Sequence, residues 1–267
     1  MIQRKVSMEN QVEVRESHEQ LSAAWSLYAR CSGTGEVVDL DGLRVANARQ
    51  PWFLMNAALL TEPVPSQAHL AARARAAIEY FGREHRPWFL AGSQQWLGDG
   101  APETLSHLGL TQASTVIGMV TEQLASPARP LPEVETRRID DERGRLALAD
   151  LNAATYAISS EWVRGAVAGE SLWQAPLYGY VAYVDDHPVS TAFAVPLNGV
   201  LYVGFVATAL AHRRRGLAEL VMRRSLGDAT RATGITRTVL HATAAGYPVY
   251  LRMGYRPVDT FSLYVPR

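Results

Sequence analysis

The chain has 267 residues, is 48% apolar and balances 26 basic against 26 acidic residues. It has material for one large core or two modest ones, and no overall field to draw in nucleic acid or an anionic membrane. Cys31 is the only cysteine, which excludes an internal disulfide and a thiolate-rich metal site and fits a reducing, cytoplasmic setting. Lys5 is the only lysine and lies in no glycine-rich loop, which excludes a Walker-type nucleotidase and a pyridoxal enzyme, since both chemistries need an internal lysine.

Residues 1–20 are polar and charged, with no apolar core of the kind a signal peptide carries. Residues 18–30 and 66–86 read as helices, the second from the spacing of Leu70, Ala74, Ala77, Ile78 and Phe81. Between and after them, 43–48, 52–60, 87–91 and 114–121 supply β-branched and aromatic runs between turn signals and read as strands. The run 52–60 is the longest apolar stretch; Asn56 interrupts it, and it is far too short to cross a bilayer. Gly33-Thr34-Gly35 lacks the third glycine of a dinucleotide fingerprint and reads as a loop, and Ser93 after Gly92 lacks the second glycine of a nucleophile elbow. Pro127, Pro130 and Pro132 then fall within seven residues, leaving a segment poor in donors. The domain boundary is placed there, giving an N-terminal α/β domain over 1–126 and a second domain over 133–267.

The second half opens with a strand at 134–139 and helices at 141–157 and 161–168. Three apolar runs follow, at 180–184, 188–195 and 201–207. Asp185-Asp186-His187 and Pro196-Leu197-Asn198-Gly199 join them, and both suit hairpins. A helix then carries Ala218, Val221, Met222, Ser225, Ala229 and Ala232 at helical spacing and stops near Gly234. A strand at 237–242, a short helix with Pro248 in its first turn and Gly254 at its end, and a strand at 255–265 close the chain.

The junction between the strand ending near Ala207 and the helix after Gly216 has the chemistry of an anion site. A helix start offers free N–H groups and the positive end of a dipole, which together favour a phosphate. Gly216 and Ala218 let backbone approach such a ligand closely, and Arg213, Arg214 and Arg215 add charge-assisted bonds. Three arginines at a helix start also oppose the dipole, by up to about 1 kcal/mol each, and an anion removes that conflict. Taken alone, the run reads better as a solvated basic turn, the usual fate of a charge run.

The segment Val206-Ala-Thr-Ala-Leu-Ala-His-Arg-Arg-Arg-Gly-Leu-Ala218 resembles the coenzyme-binding segment of the GNAT superfamily of acyl-CoA-dependent N-acetyltransferases. Downstream, Gly246-Tyr247-Pro248-Val249-Tyr250-Leu251-Arg252-Met253-Gly254-Tyr255 resembles the same family's tyrosine-to-glycine segment. The resemblance spans residues 133–267. It implies a mixed, mostly antiparallel sheet with flanking helices, acetyl-CoA as co-substrate and no metal. It further implies that Val206, Ala207 and Thr208 line the pantetheine arm on a strand splayed from its neighbour. On the same basis Arg213, Arg214, Arg215, Gly216, Leu217 and Ala218 hold the pyrophosphate, and Tyr250 protonates the departing thiolate.

The implied acceptor is a small-molecule or peptide primary amine, with neither nucleic acid nor membrane as partner; a homodimer stays open. No base is assigned. The strand 201–208 contains no carboxylate, and Glu161, Glu170 and His241 each read equally well as solvated or structural. Trp162, Trp173, Tyr178 and Tyr180 read either as an acceptor pocket or as core. A non-catalytic acyl-CoA-binding module is the alternative from another class. In the first half, Leu105-Ser106-His107-Leu108-Gly109-Leu110 resembles the helix-to-glycine element of the second half, which suggests a degenerate GNAT copy; an unrelated α/β cap is the competing reading. The phosphate loop is missing there, with Pro63, Pro65 and Ser66 in its place.

Overall fold

The computed structural model describes residues 8–267, so the polar stretch ahead of Met8, Lys5 included, lies outside the described residues. The first half runs α1 (Met8–Cys31), β1 (Glu36–Leu40), β2 (Leu43–Asn47), β3 (Asn56–Leu60), α2 (Gln67–Glu84), β4 (Phe89–Ser93), α3 (Gln94–Leu97), α4 (Ala101–His107) and β5 (Leu110–Thr121). The second runs β6 (Glu135–Arg138), α5 (Glu142–Tyr156), α6 (Ser160–Val167), α7 (Glu170–Trp173), β7 (Tyr178–Val184), β8 (His187–Leu197) and β9 (Val200–Thr208). It continues with α8 (Leu217–Thr233), β10 (Thr238–Ala242), α9 (Tyr247–Arg252) and β11 (Arg256–Pro266).

Two expectations need correction. The first helix begins at Met8, well ahead of residue 18. Its early turns lack apolar periodicity because Glu13 and Glu16 face Arg256 and Arg237, so ion pairs dock this end of the helix. The run 52–60 is not one strand. Phe53–Met55 form a 3-10 turn, and the Asn56 side chain donates to the carbonyls of Gln50 (2.8 Å) and Pro87 (2.7 Å), closing the loop before β3 starts.

Elsewhere the local chemistry is as expected. Asp185 and Asp186 take φ of 49° and 60°, and Asn198 and Gly199 take 49° and 78°, the left-handed pairs that a two-residue hairpin needs. Asp141 caps α5 by accepting from the Gly144 N–H at 2.8 Å. Gly234 ends α8 at φ 74°.

All the strands join one sheet, in the order β1-β2-β3-β4-β11-β5-β10-β9-β8-β7-β6. Pairing is antiparallel except at β3–β4 and β9–β10. The last strand of each half has crossed into the other: β11 lies between β4 and β5, and β5 lies between β11 and β10. Gly118 on β5 marks the seam, since a Cβ there would lie 2.5 Å from Ser17 Oγ and 2.8 Å from Phe261 Cε2. An ion cluster of Glu13, Glu16, Glu122, Arg237 and Arg256 ties α1, β10, β11 and the end of β5 together.

Strand alternation assigns the helices to faces. On β8, Phe193 and Val195 pack with α5 and with Ala24 and Tyr28 of α1, whereas Ala192 and Ala194 pack with Val221, Met222 and Leu226 of α8. On β3, Ala57 and Leu59 meet Leu21 of α1, while Ala58 and Leu60 meet Leu70, Ala74 and Ala77 of α2. Thus α1 and α5 share one face, and α2 and α8 lie on the opposite one.

Two histidines are held neutral where α1 meets the sheet, His18 on α1 and His241 on β10. His18 is buried, stacks on Trp96 (3.6 Å between ring centres) and accepts the Ser93 N–H at 3.1 Å. Its pKa is driven well below the ordinary value, mainly by burial and then by His241. Burial pushes His241 down to about 3. With folded-state values below the unfolded ones, only the unfolded chain takes up these protons as pH falls. Stability is therefore whole above the ordinary histidine pKa and declines as pH drops from there, by about 1.4 kcal/mol per pH unit for each histidine until its own folded-state value is reached. Urea midpoints between pH 7 and 4.5 should fall accordingly, and His241→Asn should show a shallower fall; equal slopes would remove His241 from this account.

Candidate active site

In the second half the sheet opens. β9 and β10 run parallel but pair only at Leu201↔Thr238 and Tyr202↔Val239, although β9 continues to Thr208 and β10 to Ala242. Beyond Tyr202 the strands splay. Just past that point β9 bulges against β8, between the pairs Phe193↔Gly204 and Thr191↔Ala207. Phe205 takes φ 52° there, a conformation that costs a non-glycine residue about 1 kcal/mol or more. Buried Asn152 of α5 holds the bulge by donating to the Phe205 carbonyl (3.2 Å), and Phe205 stacks on Phe193 (5.4 Å).

The bulge sets which main-chain groups face the opening. Ala207 pairs with Thr191, its carbonyl accepts from Ser190 Oγ (3.1 Å), and Ala209 donates to the Val189 carbonyl (2.9 Å). Alternation then turns Val206 and Thr208 away from β8. Tyr156 Oη reaches the Val206 carbonyl at 3.5 Å, and Arg213 Nε reaches the Thr208 carbonyl at 3.2 Å. Of the three strand residues expected at the cofactor, Val206 and Thr208 direct main-chain groups into the opening, and Ala207 directs its own to β8.

The arginine loop stands at the outer end of β9. Arg214 and Gly216 take left-handed φ of 61° and 82°, and Gly216 is the residue before α8. No side chain caps this helix, and the first intrahelical bond is Leu220 N–H to the Gly216 carbonyl (3.0 Å). The N–H groups of Leu217, Ala218 and Glu219 therefore face outward without a partner among the described residues. The Glu219 carboxylate, which could repel an anion, is drawn to Arg223 at 2.8 Å. Arg213, Arg214 and Arg215 make no ion pair among the described residues. Arg213 bends back to β9, and Arg215 lies 3.1 Å from His212 Nδ1.

Tyr250 on α9 is buried, and its hydroxyl bonds to no other described group. Its pKa is raised, first by burial and then by Tyr156, Tyr255 and Tyr202. Gly246 makes room for this ring, since a Cβ there would sit 2.8 Å from Tyr250 Cε2 and 3.1 Å from its hydroxyl. Tyr250 thus stays protonated at neutral pH, a donor without a partner.

Residues 189–258 match the family model for the acetyltransferase (GNAT) domain. The GNAT match thus lies inside the C-terminal half. The match contains the bulged strand, the arginine loop, α8, the splayed β10 and Tyr250. Among solved structures, the chain is similar to a GCN5-related N-acetyltransferase from Kribbella flavida, at 20% identity and TM-score 0.71, over 96% of this chain and 95% of that one. It is also similar to an acetyltransferase from the GNAT family from Novosphingobium aromaticivorans (17% identity, TM-score 0.53, 92% and 96% of the two chains). A third likeness is to a tandem GNAT protein from the clavulanic acid biosynthesis pathway (15% identity, TM-score 0.51, 84% and 77%). Likeness at these identities shows the fold. A comparison with curated proteins finds no match.

The first half repeats the connectivity of the second: β1-β2-β3, α2, a parallel β4, α4 and β5 follow the order of β7-β8-β9, α8, β10, α9 and β11. Gly109 and Gly254 take φ of 78° and 95° at equivalent helix ends. The opening is filled, however. A Cβ on Gly92 would lie 2.5 Å from Leu60 Cδ1, and His18 and Trp96 cover the end of β4. At the start of α2 Ser66 caps the helix itself, and buried Arg73 pairs with Glu62 and donates to the Glu62 and Pro63 carbonyls, where an anion loop would have to stand.

The other candidates disperse. Glu161 and Glu170 are exposed on α6 and α7. His241 lies at the throat of the splay, with Ser17 Oγ 3.1 Å from Nε2 and Tyr202 Oη 3.4 Å from Nδ1. Tyr178 and Tyr180 pack on the α8 face, Tyr180 donating to Asp228 at 2.6 Å. Trp173 packs on the α5 face and lines a shallow surface pocket with Tyr178, whereas Tyr180 is tied to α8 and Trp162 is exposed, so the four aromatics do not share one pocket. Phe205, Asn152, Tyr156 and Tyr202 escaped sequence reasoning. Only a buried asparagine in a helix could have signalled the bulge, and nothing in the sequence marks Asn152 as buried.

Proposed function

We propose that the chain is a cytoplasmic acyl-CoA-dependent N-acetyltransferase that moves acetyl from acetyl-CoA to a primary amine by direct attack in a ternary complex. Residues 133–267 form the catalytic domain on this reading, and residues 1–126 a degenerate copy that completes the cleft. The observation that carries it is the alignment of a splayed strand pair with an uncapped, arginine-flanked helix start at its mouth.

The parts fit the co-substrate. The left-handed Gly216 and the free N–H groups of Leu217 and Ala218 suit a diphosphate, with Arg214 and Arg215 supplying charge. The main-chain groups of Val206 and Thr208 suit an amide-bearing arm lying along β9. Acetyl-CoA supplies the activated carbonyl and the thiol leaving group. In the reaction the amine nitrogen bonds the thioester carbon as the carbon–sulfur bond breaks. A main-chain N–H of the bulged strand stabilises the oxyanion, and the Tyr250 hydroxyl gives its proton to sulfur. His241, neutral and hydrogen-bonded on both sides, is a weak proton acceptor, so the amine's own proton leaves to solvent.

Thiol release from acetyl-CoA in the presence of a panel of primary amines tests this. The enzyme reading expects release that depends on the amine. Thermal stabilisation by CoA without turnover on any amine would establish the binding module instead.

A further inference from the structure

The linker between the halves lies against the arginine loop. At its near end, the Ala125 N–H donates to the Met253 carbonyl (2.9 Å), and the Ala125 carbonyl accepts from Arg223 (2.6 Å). At its far end β6 pairs with β7 from Glu135 onward. Between these anchors Pro127, Pro130 and Pro132 stiffen the chain. The segment they frame touches the loop: Arg129 donates to the Arg214 carbonyl at 3.5 Å, and a Cβ on Gly216 would lie 3.3 Å from Pro132 Cδ and 3.8 Å from Arg129 Nη2.

A fourth guanidinium is thus brought to a place that already holds three. Like charges repel, and none of Arg129, Arg213, Arg214 and Arg215 makes an ion pair among the described residues, while the Glu219 carboxylate is drawn to Arg223. Sequence gives no reason to join Arg129 to this loop, since it lies 85 residues away along the chain. Its arrival depends on the strand exchange, which brings the end of β5 beside β10 and so starts the linker next to α8 and α9.

We infer that Arg129 is a phosphate-binding residue for the coenzyme, carried by the linker over the diphosphate loop and acting with Arg214 and Arg215. The inference rests on the proposed coenzyme reading and assigns the linker a part in the site, beyond joining two halves. A guanidinium held on an anchored, proline-stiffened segment loses less entropy on binding than one on a free loop, so its bond to phosphate is strong for an exposed group.

Titration calorimetry of the full chain with CoA and with pantetheine, which has no phosphates, decides the matter. In Arg129→Ala, CoA should bind about tenfold or more weakly, by the scale of one charge-assisted bond, while pantetheine binds as it does to the unaltered protein. Arg129→Lys should recover part of the loss, because charge returns without the fork. The exposed position leaves folding intact, and an unchanged melting temperature checks this. Equal CoA affinity in Arg129→Ala overturns the inference and leaves the coenzyme reading standing, as does an equal loss for CoA and pantetheine. Failure of the unaltered protein to bind CoA more tightly than pantetheine overturns both.

Discussion

Replacing Tyr250 by phenylalanine is expected to lower kcat by about a hundredfold or more and to leave CoA affinity within about a factor of two. The hydroxyl is the only atom removed, and it bonds to nothing else among the described residues, so the fold loses no contact by its removal. Burial and the neighbouring tyrosines hold it protonated, which keeps the donor loaded over the whole neutral range. An interaction made only as the thiolate departs appears in kcat and in kcat/KM alike, and not in ground-state affinity. The decisive control is leaving-group dependence, because a thioester whose thiol is more acidic needs less help from a donor. Tyr250→Phe should recover on such a substrate; a variant that is equally slow on both, or that melts several degrees lower, would mark Tyr250 as a packing residue.

The second large effect belongs to the seam. Phe261 is fully buried in β11, with His18 and His241 rings at 4.6 and 4.7 Å and Gly118 beneath it. Phe261→Ala should cost about 3–5 kcal/mol, a large share of the roughly 5–15 kcal/mol that holds such a fold. Because β11 bonds to β4 on one side and β5 on the other, the loss should be felt by both halves at once. Urea denaturation followed by tryptophan fluorescence and by far-UV circular dichroism should give a single, coincident transition at a lower midpoint. Separate transitions, with one half keeping its original midpoint, would show that the strand exchange does not couple them.

Much of this arrangement is legible in the chain. The hairpins announce themselves in Asp185-Asp186 and Asn198-Gly199, and α8 in the spacing that runs from Ala218 to Gly234. The anion loop is legible because its chemistry is local: a small residue, a helix start and arginines in succession. What eludes sequence is what depends on distant partners. The Phe205 bulge needs a left-handed backbone at a residue that does not favour it, and Asn152 from another helix holds it there. The polar first turns of α1 do not read as helix until Arg237 and Arg256 are brought to Glu16 and Glu13. The crossing of β5 and β11 leaves no mark on either strand, since the partners that flank each of them come from distant parts of the chain. Arg129 reaches the loop only through that crossing.

The central claim is that the backbone around Gly216 cradles the coenzyme's diphosphate, and a crystal structure of the protein grown with excess CoA tests it most directly. Expected are diphosphate oxygens against the N–H groups of Leu217 and Ala218, with the pantetheine arm entering between β9 and β10. CoA bound elsewhere, or a cradle still empty at saturating CoA with the splay closed, would contradict it.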